Sequence, residues 1–155
     1  MIDATEMSQT PERPATSLDA PRGSGAITSY HAHVYWHSSE ERTVALRVRE
    51  WLAERFGVAL GRVHDSPVGP HTQPMYQVAF TPDVFPRIVP WLLLNRNGLS
   101  VLVHPNTGYA RDDHLVHALW LGTPLPIRGD SLPNEPGTDG IDFPVINTTP
   151  DRSSE

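Results

Sequence analysis

Tyr30-His31-Ala32-His33-Val34-Tyr35-Trp36 alternates aromatic and β-branched residues with histidine. A strand sends successive side chains to opposite faces, so Ala32, Val34 and Trp36 share one side and His31, His33 and Tyr35 the other. The first side is apolar and suits a core. The second carries two imidazoles placed to grip one metal ion, a role in which imidazole nitrogen is a common donor.

The flanking residues extend the pattern. Ser38-Ser39-Glu40-Glu41 reads as a helix cap with acids in the first turn, and Val44, Val48, Trp51, Leu52 and Phe56 follow at helical spacing until Gly57 stops the helix. Arg47, Arg49 and Arg55 fall on its solvated face. Residues 58–64 form a short strand, and 65–74 hold too many turn formers for regular structure. Alternation returns over residues 75–80, with Tyr76, Val78 and Phe80 opposite Met75, Gln77 and Ala79. Val84, Phe85, Ile88, Val89, Trp91 and Leu92 make a second helical stripe, which Pro90 should kink and Asn97-Gly98 should end. Leu99 to His104 is a fourth strand, and Val116 to Leu121 a further strand or short helix before Gly122.

The order βαββαβ is that of an α+β, ferredoxin-like fold, in which two helices cover one face of a four-stranded antiparallel sheet. There the first strand lies antiparallel beside the last, which brings His31 and His33 to His104. The face away from the helices, with His31, His33, Tyr35, Gln77, Leu102 and His104, stands open in this reading. So much aromatic and apolar area is expected to be enclosed by a homodimer, a dimeric α+β barrel with the site as its cavity.

A length of 155 residues fits one domain, expected over residues 26–123 between a disordered, Pro- and Ser-rich arm (1–25) and a Pro-rich extended or disordered tail (124–155). Twelve Lys and Arg against 18 Asp and Glu give a net charge of -6, and no basic run tracks a phosphate backbone, so nucleic acid is not an expected partner. Without cysteine any metal must be held by nitrogen and oxygen donors. No secretory leader pattern and no apolar stretch of the roughly 20 residues that span a bilayer is found, so no membrane partner and a cytoplasmic location are expected.

Several segments in order resemble the DOPA dioxygenase family of small extradiol ring-cleaving enzymes. They are His31-Ala32-His33-Val34-Tyr35, Val68-Gly69-Pro70-His71, Tyr76-Gln77, Asn95-Arg96-Asn97-Gly98-Leu99-Ser100-Val101-Leu102-Val103-His104-Pro105, Asp113-His114 and Ala118-Leu119-Trp120-Leu121-Gly122. The match runs from about Ser29 to Gly122. It implies a ferredoxin-like fold and an iron-dependent opening of the catechol ring of DOPA, or of a related catechol, by dioxygen. His31, His33, His71 and His104 match the family motif; His64 and His117 lie beside it. Non-haem iron of this type commonly uses two histidines and one carboxylate, but no acid falls on the open face, and Asp65 and Asp113 are in loops. The expected ligands are therefore His31, His33 and His104 around Fe(II), with zinc another ion the set can hold.

His71, from its loop, is expected as an acid–base residue or a replacement ligand, with His117 a second acid–base candidate. Arg111 and Arg96 offer paired hydrogen bonds to a substrate carboxylate. Tyr35 and Gln77 either touch substrate or fill a dimer interface. Taken singly, His37, His64, His114 and His117 read as hydrogen-bonded structural residues. Two other classes fit the same pattern: a barrel binding module for a small aromatic ligand or structural metal, and a cofactor-independent enzyme whose histidines act as acids and bases.

Overall fold

The alternating residues 30–36 become β1 (Ser29–Tyr35), the middle strand of a five-stranded antiparallel sheet in a computed structural model that describes residues 20–133, 135 and 136. After β1 come α1 (Ser39–Arg55), β2 (Ala59–Leu60), β3 (Met75–Phe80), α2 (Phe85–Asn95), β4 (Val101–Asn106), α3 (Ala110–Leu115) and β5 (Leu119–Leu121). The sheet order is β2-β3-β1-β4-β5, and every pairing is antiparallel. β1 lies between β3 and β4, in a register that sets His31 opposite His104 on one side and His33 opposite Gln77 on the other.

One sheet face packs on α1 and α2. Ala32, Val34, Tyr76, Val78, Val101 and Val103 meet Ala45, Val48 and Leu52 of α1 and Ile88, Val89 and Leu92 of α2 in a single apolar cluster. The expected division of the strands between two faces is therefore observed. Ser38 caps α1, its hydroxyl accepting from the Glu41 backbone N–H. The Tyr76 hydroxyl, buried under the same helix, donates to the carbonyl of Ala45 at 2.7 Å. Among the described residues no helix is long and apolar enough to cross a membrane.

The second strand is shorter than residues 58–64. Pairing breaks after Leu60, where the Gly61 carbonyl accepts from Arg49 of α1, and resumes as an isolated bridge from His64 to Met75. α2 also runs unbroken through Pro90. That proline is exposed, and the carbonyl it leaves unbonded is that of Pro86 near the helix start, also on the solvent side. The helix ends at Asn95, and the chain turns away through Asn97 and Gly98, both with positive φ (53° and 79°).

The opposite face is the larger departure from expectation, because it is not open. Tyr35, Met75, Leu102 and Ile127 form a second buried cluster, with Val68, Leu115, Ala118, Trp120 and Leu125 packed against it. The chain's own segments cover the sheet there: the loop before β3, the short α3, and residues 124–133. Thr72 donates to the Pro126 carbonyl, the Arg128 N–H donates to Pro70, and His71 bridges to Ile127. This closes within one chain the apolar area on which the expectation of a dimer was built. Of the expected arm and tail, residues 1–19, 134 and 137–155 lie outside the described residues, while 24–26 form a single 3-10 turn.

Candidate metal centre

Because β1 and β4 pair with His31 opposite His104, three imidazoles from two central strands meet under that cover. His31, His33 and His104 are 6%, 2% and 1% exposed. One ring nitrogen from each lies within 4.8 Å of those of the other two. His33, His71 and His114 form a second such group, sharing His33 with the first. The His104 and His114 ring centroids are 4.0 Å apart, and those of His33 and His71 4.2 Å. These rings line a cavity of about 240 Å³ together with Gln77, Asn106 and Asp113.

The donor set fits a divalent ion. His33 Nε2 and His104 Nε2 are 3.1 Å apart, and two nitrogens each about 2.1 Å from one metal at right angles lie about 3.0 Å apart. His104 Nδ1–H donates to the Pro105 carbonyl at 2.9 Å, which fixes the tautomer with its lone pair on Nε2. His114 is held likewise, Nδ1–H donating to the Ala110 carbonyl at 2.7 Å. Among the described residues His33 Nδ1 is buried without a hydrogen-bond partner, a condition uncommon in finished interiors.

Electrostatics favour uncharged rings. Burial, reinforced by repulsion from His114, lowers the pKa of His31 to about 4. Burial together with His114, His31 and His64 lowers that of His71 to about 3. Burial, with His71 and the other cluster rings adding to it, holds His33 well below the ordinary histidine range, and burial with His114 and His31 does the same for His104 against the pull of its Pro105 bond. At neutral pH the cluster therefore offers lone pairs, the form a metal requires.

A carboxylate is not supplied as the cluster stands. Asp113 is 2% exposed and lines the cavity, yet its two oxygens accept from the Thr107 N–H (2.9 Å) and hydroxyl (2.6 Å). Burial raises its pKa against the pull of those bonds. Asp65 sits outside, paired with Arg42 on the surface.

The other expected site residues divide. Gln77 lines the cavity. Tyr35 lies one layer behind it, buried, its hydroxyl 2.7 Å from His71 Nδ1. His117 instead lines a separate, mostly apolar cavity of about 390 Å³ that reaches His104 from another side, with Arg22, Tyr30 and Phe85. Arg111 does not reach either cavity, because its guanidinium donates to the carbonyls of Gly129 and Leu132 and so pins the chain that roofs the site. Arg96 donates to Leu93 at the end of α2. His114 is the residue that strand periodicity could not find; the Asp113-His114 segment was its one sequence signal.

A family model, the Dopa 4,5-dioxygenase family, matches residues 30–131. The chain belongs to this family. It is 30% identical over 151 residues to the DOPA 4,5-dioxygenase of Amanita muscaria, covering 92% of this chain and 64% of that protein. An uncharacterized 21.2 kDa protein of Botryotinia fuckeliana is 36% identical over 118 residues, 69% of this chain and 64% of the relative. The chain thus spans just under two thirds of the length of these curated relatives. A crystal structure named "putative dioxygenase" from Nostoc punctiforme is 51% identical, with a TM-score of 0.70 over 72% of this chain and 96% of that one. The match spans the cluster histidines from His31 to His114.

Proposed function

We propose that the chain is an Fe(II)-dependent extradiol dioxygenase that opens the ring of DOPA or a related catechol, on a ferredoxin-like βαββαβ core. The observation that carries this reading is the buried convergence of His31, His33 and His104, with His33 and His104 Nε2 3.1 Å apart, in a chain of the Dopa 4,5-dioxygenase family. The ligands assigned are His31, His33 and His104, with His114 adjoining them. When bound, the iron supplies the redox-active centre that lets dioxygen, a triplet, react with a singlet catechol.

The chain's own residues do the rest. Three neutral imidazoles add no negative charge, so a divalent ion in their grip keeps its full attraction for a catecholate, whose two oxygens bring the balancing charge. The cavity of about 240 Å³ is small for a ligand site and suits a single ring. The roof formed by residues 124–133 and the loop carrying His71 excludes bulk water, which strengthens each polar contact inside. Gln77 provides a side-chain amide at the wall for substrate oxygens, while the Asn106 amide beside it donates to the Ser29 hydroxyl.

Anaerobic loading with Fe(II), followed by DOPA and air, tests the reading. Oxygen uptake should match the growth of a yellow ring-opened semialdehyde, and chelator-treated protein should give neither. Bound iron with no uptake on DOPA or several simpler catechols refutes it in favour of a binding module, and uptake that survives a chelator refutes the metal dependence.

A further inference from the structure

The cluster histidines do not all carry their protons on the same nitrogen. His104 and His114 donate from Nδ1 to backbone carbonyls, and a carbonyl can only accept, so both present Nε2 as a lone pair. His71 Nδ1 meets a hydroxyl instead, the Tyr35 phenol at 2.7 Å. A phenol can donate or accept, so its surroundings decide. Tyr35 is 1% exposed, its cluster neighbours Met75, Leu102 and Ile127 are apolar, and Trp120 stacks on its ring. The one hydrogen bond of its hydroxyl among the described residues is to His71. If His71 were the donor, the phenolic proton would be buried without an acceptor, at a cost of about 1–3 kcal/mol.

We infer that Tyr35 donates to His71 and thereby fixes the tautomer bearing its proton on Nε2, making His71 a hydrogen-bond donor to an anionic oxygen in the cavity rather than a metal ligand. Tyr35 is then a positioning residue, acting through His71. The backbone supports this role: the His71 N–H donates to Val68 and the residue bridges to Ile127, which fixes the point from which the ring reaches Tyr35. It also divides the second histidine group, with His114 presenting a lone pair on Nε2 and His71 a donor left to contact substrate. The donor role rests on the catechol reading, because a catecholate is the anionic oxygen it would meet; the tautomer does not.

Long-range ¹H–¹⁵N spectra of histidine-labelled protein, metal-free and loaded with zinc as a diamagnetic probe, decide the matter without turnover. The expected pattern is a proton on Nε2 for His71 and on Nδ1 for His104 and His114. Zinc should move the Nε2 signals of His104 and leave His71 protonated. Tyr35→Phe, which removes one oxygen and little volume, should turn His71 into a tautomer mixture while zinc affinity holds. His104→Gln should weaken zinc by more than the roughly 10–100-fold typical of losing an outer partner, and His71→Gln should leave it unchanged. A protonated Nδ1 on His71, or a loss of zinc in His71→Gln equal to that in His104→Gln, overturns the inference. Catechol that binds the zinc protein anaerobically without shifting the His71 Nε2–H signal overturns the donor role alone. Catechol that does not bind at all counts against the dioxygenase reading and leaves the tautomer standing.

Discussion

Acid should destabilise the metal-free protein steeply, and the slope can be worked from the cluster. In the unfolded chain each histidine takes up a proton near pH 6.5, but in the folded chain His31 does so at about 4 and His71 at about 3. Between those values the unfolded state binds more protons, so stability falls as pH falls, from about 6.5 down to the folded pKa. At pH 5 each such imidazole costs about 2 kcal/mol relative to neutral pH. His33 and His104, also held well below the ordinary range, bring the total for the four to at most about 8 kcal/mol. That is comparable to the whole stability of a domain, roughly 5–15 kcal/mol. Urea unfolding followed by circular dichroism at steps from pH 7.5 to 5, with chelator present throughout, measures it. The unfolding free energy should drop by several kcal/mol, and His31→Gln should remove about a quarter of the dependence. A free energy flat to within about 1 kcal/mol over this range would falsify the claim that the four rings are buried and neutral together.

Five substitutions probe separate parts of the structure. His33→Ala and His104→Ala should each abolish iron retention measured by elemental analysis; full iron content in either would remove the strand site. Asp113→Ala frees the Thr107 N–H and hydroxyl that hold α3 against the end of β4. It should therefore cost about 1–3 kcal/mol and weaken metal binding by roughly 10–100-fold; unchanged zinc affinity would show that His114 is placed by other contacts. Leu52→Ala, at a fully buried position between α1 and the sheet, should cost about 2–5 kcal/mol in urea unfolding. Ser38→Ala removes the acceptor for Glu41 N–H and should cost about 1 kcal/mol, with no effect on metal content.

What the sequence makes legible here is whatever depends on local period. β1 and β4 show their two faces because alternation places Ala32, Val34, Val101 and Val103 on one side and His31, His33, Leu102 and His104 on the other, and antiparallel pairing then does the rest. The cover over the imidazoles has no such period. It is held by contacts between segments apart in the chain, Thr72 to Pro126 and Arg111 to Gly129 and Leu132, and by the shorter link of Asp113 to Thr107, six residues before it. Each uses a side chain that, read alone, has an ordinary surface explanation. Arg111 thus looked like a grip for a substrate carboxylate and proves to bind backbone carbonyls. The same contacts explain why His114 joins the cluster while His117 does not. α3 is only six residues long and is anchored through Asp113, so the next residue, His114, lies over His104, with ring centroids 4.0 Å apart. The helix ends at Leu115, and the chain turns toward β5 before His117, which leaves that ring to line the other cavity. A helix too short for a hydrophobic stripe is placed by its hydrogen bonds, here Asp113 to Thr107 and Arg111 to Gly129 and Leu132, and none of these shows as a period in the sequence.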